Sequence, residues 1–145
     1  MPKQISLTQS KAANFLKQMV GKCISRTWRG YASSIFFEIG ELNEKNIGEF
    51  TFTADTKWTL CLGIDNCYSV EDLELEDIDA LLEKLEHSKI LDVQFNDSVL
   101  EVNLNNNRSL VIAEYKSDNW ALQLNNKTFI IYKNGFIKEQ SLSAA

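Results

Sequence analysis

Residues 75–95 read LEDIDALLEKLEHSKILDVQF, and this stretch holds both of the periods on which the fold turns. Leu75, Ile78, Leu81, Leu82 and Leu85 recur at three- and four-residue spacing, which puts them on one stripe of a helix. The acidic residues of the first turn complement the positive end of the helix dipole. From Ile90 the period drops to two, and Ile90 to Phe95 reads as a strand.

Downstream, the alternation predicts strands at Val99 to Leu104, Ser109 to Tyr115, Trp120 to Leu124 and Thr128 to Tyr132, with one more short strand at Phe136. Asn96-Asp97, Asn105 to Asn107, Lys116 to Asn119 and Asn125-Asn126 separate them, residues that tolerate a positive φ. Upstream, Thr8 to Val20 predicts a first helix: Phe15, Leu16, Met19 and Val20 share a face, Thr8 or Ser10 can cap it, and Gly21 stops it. Strands follow at Cys23 to Trp28 and Ser34 to Ile39, then a polar loop from Gly40 to Gly48. Glu49 to Thr53 and Trp58 to Leu62 read as a hairpin closed by Ala54 to Lys57, and Cys67 to Val70 as a further short strand.

Laid side by side, residues 8–70 and 71–138 look alike. Gly21-Lys22-Cys23-Ile24-Ser25 resembles Ser88-Lys89-Ile90-Leu91-Asp92, Phe36-Phe37-Glu38-Ile39 resembles Val99-Leu100-Glu101-Val102, and Lys57-Trp58-Thr59-Leu60 resembles Asn119-Trp120-Ala121-Leu122. The expected fold is therefore α+β: two similar halves, each a helix followed by antiparallel strands, with the helices packed on the sheet. It forms one domain over residues 1–138, with residues 139–145 expected as an unstructured tail.

The totals fit that reading. A chain of 145 residues, 44% hydrophobic and 24% charged, has the length and composition of one globular domain. No apolar run is long enough for a membrane span, and the first ten residues lack a signal peptide's apolar core, so a cytoplasmic location is expected. Cys23, Cys61 and Cys67 are odd in number, and free, mostly buried thiols are expected. The net charge of −5 is uneven, for residues 69–89 carry eight acidic and two basic side chains.

Few constellations suggest chemistry. The single histidine, His87, closes the second helix, where it suits the dipole, and no nucleophile signature accompanies it. Cys23, Cys61, Cys67 and His87 lack the spacing of a zinc knuckle, no glycine-rich phosphate loop is present, and Asp65 to Glu76 fails as a calcium loop. Hence no catalytic residue, metal or cofactor is expected, and a nucleic-acid partner is disfavoured by the net charge.

Two surfaces stand out. One is the acidic second helix, with Glu76, Asp79 and Glu83, suited to a basic partner. The other is Arg26 to Ser34, which gathers Arg26, Trp28, Arg29, Tyr31 and Ser34 around a turn, since Arg and aromatic residues are common interface anchors. Here Gly21, Trp28-Arg29-Gly30-Tyr31, Ser34 and Phe36-Phe37-Glu38 resemble a family of small uncharacterised bacterial proteins with an Arg-Gly-Tyr-Gly-Ser turn, though Ala32 stands where that pattern has Gly. The resemblance implies no activity. The expected function is a non-enzymatic protein-binding module, such as an immunity-type or accessory inhibitor. The alternative is a small-ligand-binding protein or enzyme with a cleft between the halves, lined by Arg26, Arg29, Tyr31 and Glu38.

Overall fold

The computed structural model describes residues 4–6, 8–31, 33–55, 58–63, 65–96, 99–112, 119–124, 128–133 and 136–141. A short strand β1 (Gln4–Ser6) precedes helix α1 (Gln9–Leu16), which tightens into a 3-10 turn over Lys17–Met19. Thr8 caps α1, its Oγ1 accepting from the Lys11 amide at 3.2 Å. Next come β2 (Ile24–Arg29), β3 (Ile35–Ile39), β4 (Phe50–Ala54), β5 (Trp58–Cys61) and β6 (Cys67–Ser69). Helix α2 (Leu75–Leu85) opens with Asp77 accepting from the Glu74 amide at 3.2 Å, and it buries Ile78, Leu81, Leu82 and Leu85 as the spacing predicts. It leads into β7 (Ile90–Asn96), β8 (Val99–Leu104), β9 (Ser109–Ile112), β10 (Asn119–Leu124), β11 (Thr128–Lys133) and β12 (Phe136–Ser141). β12 thus runs three residues into the expected tail, paired with β11 and β1. Residues 142–145 lie outside the described residues.

The α+β class and the antiparallel pairing are as expected, but the strands make two sheets, not one. Their orders are β1-β12-β11-β10-β4-β3-β2 and β6-β5-β9-β8-β7. The expected β4–β5 hairpin does not form. Ala54 and Trp58 are both fully buried, and the segment between them carries the chain from one sheet to the other. Trp58 consequently pairs with Ile112 of β9, and Trp120, after its own change of sheet, pairs with Ala54 of β4.

The two sheets face one another across a single buried cluster. Phe95 of β7 meets the Trp120 ring edge-on at 5.4 Å. Phe37, Ile39 and Phe52 of the first sheet and Val102, Leu104 and Leu110 of the second surround the same apolar void of only about 10 Å³. Each sheet therefore covers the other, and the helices are left to close one edge of each: α2 packs on β2, and α1 on β7. A strand edge covered in this way cannot recruit another strand.

Candidate functional site

The site grows from the register of β2. Ile24 pairs with Ile39 and Arg26 with Glu38, so an irregularity between Ile24 and Arg26 resets the alternation. After it, Thr27 and Arg29 share the face of Phe37 and Ile35, towards α2, while Arg26 and Trp28 share the outer face with Glu38 and Phe36.

On the outer face, the Trp28 ring stacks on Phe36 at 3.8 Å and 7°, and the Arg26 guanidinium lies over Trp28 at 5.9 Å. Phe36 also lies flat against Gly30, where a Cβ would come within 2.5 Å of the ring. Glu38, only 2% exposed, holds this arrangement from below. Its Oε2 accepts from Trp28 Nε1 at 2.8 Å, and its Oε1 accepts from the Gly48 amide and the Thr51 hydroxyl. A buried carboxylate with three donors is a structural anchor, with little left to offer a substrate. Its signal in the sequence is a charge inside the apolar run Ile35 to Ile39, in phase with Phe36 and out of phase with the core.

On the α2 side, Glu86 accepts from the Thr27 amide at 2.7 Å and from the Thr27 hydroxyl at 3.1 Å, and the same hydroxyl lies 3.1 Å from the Leu82 carbonyl oxygen. A carboxylate thus occupies an outward-facing amide of the edge strand. Two residues on, Arg29 forms a two-point ion pair with Asp79, Nε to Oδ1 at 2.9 Å and Nη2 to Oδ2 at 3.3 Å. The hydrogen bond that Arg29 donates to Asp79 raises the Arg29 pKa above its ordinary value. Between strand and helix runs an open groove of about 270 Å³ lined by Thr27, Trp28, Arg29, Asp79, Leu82, Glu83 and Glu86.

The β2–β3 turn closes with the Gly30 amide on the Ser34 carbonyl at 2.8 Å. Ser34 donates to Asp55, and Trp58 Nε1 to the Ser33 carbonyl at 2.9 Å, so the base of the turn is tied to the crossing from β4 to β5. Tyr31 at its tip is 94% exposed, and Ala32 lies outside the described residues. Of the expected site residues, Arg29 and Asp79 are in contact, with Trp28 and Glu83 lining the same groove. Arg26 stands on the opposite face, Ser34 serves the turn, and Glu76 is exposed on α2. Arg26, Arg29 and Glu38 do not converge on one cleft, and the space between the sheets is too small for a ligand. Thr27 and Glu86 were not legible as site residues, because only the packing of α2 on β2 joins them.

The cysteines depart from expectation. Cys61 and Cys67 form a disulfide between directly opposed residues of β5 and β6, and Cys23 is free but exposed. The short strand β6 lies beside β5, and that juxtaposition, invisible in the spacing, brings the sulfurs together. A cross-link closing so short a loop contributes about 2 kcal/mol. Among the described residues, no His, Cys, Asp and Glu side chains gather to hold a metal, and no helix is long and apolar enough to cross a membrane.

No family model, curated protein or solved structure matches this chain.

Proposed function

We propose that the chain is a non-enzymatic protein-binding module whose partner, a basic protein segment, docks across the β2–β3 turn and the acidic face of α2 together. The Arg29–Asp79 ion pair carries this reading, because it joins the two candidate surfaces into one. Tyr31 supplies an exposed aromatic side chain at the tip of the turn, and Glu76 and Glu83 supply exposed negative charge beside the Arg29–Asp79 pair. Opposite charge steers the encounter with a basic partner. An immunity-type or accessory inhibitor would need such a surface.

The test places a photo-activated cross-linker at Tyr31 and, separately, at Glu83 in the native host. Both positions should capture the same protein, with capture falling as salt rises. The combined Glu76→Gln, Asp79→Asn and Glu83→Gln variant should reduce capture with the melting temperature nearly unchanged. Different proteins at the two positions, or capture indifferent to salt and to the triple variant, would overturn the reading.

We also infer that residues 8–70 and 71–138 are similar halves that have exchanged strands. In its support, each half sends its first three strands to one sheet and its later strands to the other. Gly21 and His87 both take a positive φ, 89° and 72°. The two segments bond reciprocally: His87 N to Ile24 O at 2.6 Å and Gly21 N to Ile90 O at 2.8 Å. The register breaks after Ile24 in β2 and after Ile90 in β7. On this reading Ile24 corresponds to Ile90, one residue from the match with Leu91 that the sequence suggests; Ile90 is buried, whereas Leu91 is 53% exposed.

A further inference from the structure

The Cys61–Cys67 bond has a built-in asymmetry. Cys61 sits in β5, flanked by β9 on one side and β6 on the other, and is buried. Cys67 sits in β6, which ends the second sheet and spans three residues, and it is exposed. A thiolate must approach one sulfur from the side away from the sulfur that leaves. Among the described residues no strand lies beyond β6, whereas β9 lies beside β5, so Cys67 is the sulfur less screened by neighbouring strands. Both cysteines line an open groove of about 420 Å³ that continues over β8 and β9, with Gly63, Asn103 and Ser109 among its other residues.

We propose that Cys61–Cys67 is a thiol–disulfide exchange site at which a dithiol attacks Cys67 in the folded protein. The thiolate of the dithiol bonds to Cys67 Sγ, the Cys61–Cys67 bond breaks, and Cys61 leaves as a thiolate that takes a proton from water. The second thiol of the dithiol, as its thiolate, then attacks its own sulfur in the mixed disulfide. This releases Cys67 as a thiol after protonation and leaves the co-reactant as a cyclic or paired disulfide. Two electrons pass from the dithiol to the protein. Because β6 continues directly into the Val70–Asp72 turn and then α2, the bond ties the lead-in of the acidic helix to the second sheet, and exchange unties it. The proposal does not depend on the identity of any binding partner.

The experiment uses the full chain with Cys23→Ser, so that only the pair can react. Oxidised protein is treated with 2-mercaptoethanol, quenched in acid at early times and mapped by mass spectrometry. The rate with dithiothreitol is compared with that of a small linear disulfide. The expected adduct is on Cys67, with a rate within about a hundred-fold of the small disulfide and unaffected by sub-denaturing urea, as for a site open in the native state. Amide exchange should rise in β6 and the first turn of α2 after reduction and stay unchanged in β3 and β4. An adduct on Cys61, a slower rate that urea accelerates, or protection in β6 unaltered by reduction would overturn the proposal.

Discussion

Two seams cover one edge of each sheet, and they are laid out alike but chemically opposed. At one, α1 and its 3-10 turn pack on β7, and the positions following the register break are Val93 and Phe95, both buried, while the helix and turn bury Ala12, Leu16 and Met19. At the other, α2 covers β2, and the corresponding positions are Thr27 and Arg29, bonded to Glu86, Leu82 and Asp79. The second seam places a carboxylate and an ion pair where the first places apolar side chains, and these polar groups adjoin the most exposed aromatic residue of the turn. That difference is the reason for proposing function at the β2–α2 seam.

The largest effect tests whether the seams belong to equivalent frames. Trp58 and Trp120, 0% and 2% exposed, are the first and second residues of strands that have changed sheets. Truncation of either to Ala should cost ~3–5 kcal/mol in chemical denaturation. A substitution that proved nearly neutral at one position only would break the equivalence.

A reciprocal exchange sharpens the contrast between the seams. Val93→Thr buries a hydroxyl in an apolar seam and should cost ~1–3 kcal/mol. Thr27→Val removes a hydroxyl from a polar one while the Thr27 amide keeps Glu86, and should cost about 1 kcal/mol. Equal costs would mean that the two environments differ less than their contacts suggest.

The smallest effect concerns the loops beside each seam. The loop after β3 is fastened by charge: Glu49 accepts from Lys22 Nζ at 2.9 Å and from the Glu41 amide at 2.8 Å, the first being the main cause that holds its pKa below the usual carboxylate value. Gly40 makes room for that carboxylate, taking a φ of 84° with a Cβ position only 2.3 Å from Glu49 Oε2. The loop after β8 is fastened by amides, Asn105 N to Lys89 O at 3.0 Å and Lys89 N to Asn105 Oδ1 at 3.2 Å. A carboxylate of lowered pKa stabilises the fold above its unfolded-state pKa, and that contribution is lost as pH falls through the folded value. An NMR acid titration should therefore shift the Glu41 amide with a midpoint below that of an ordinary glutamate and leave the Asn105 amide unmoved. A Glu49 midpoint, read at the Glu41 amide, at or above the ordinary value would remove the charge clamp from the comparison.

Much of the fold was legible because it rests on local periodicity. The stripe Leu75 to Leu85, the alternation from Ile90 onward and the cap at Thr8 each depend on residues within a turn or two of one another. The central strands and the α+β class follow for the same reason, whereas β1 and the full length of β12, which pair with each other at the ends of the chain segment, were not foreseen. Which sheet each strand would join was not legible, since pairing depends on where the segments between strands deliver Trp58 and Trp120. The candidate site divides in the same way. Arg26, Trp28, Arg29, Tyr31 and the acids of α2 declared themselves by residue type, as interface anchors and as charge. Their grouping did not, because a register break in β2 decides that Arg26 faces one side and Arg29 the other, and the covering helix decides that Arg29 meets Asp79. The disulfide belongs with these: three cysteines read as free thiols until β6 was laid against β5. What the sequence by itself determined is the set of elements and the chemistry each carries, since both follow from short-range spacing. Only the tertiary structure decided which faces meet, because strand register and sheet membership depend on contacts between residues far apart in the chain.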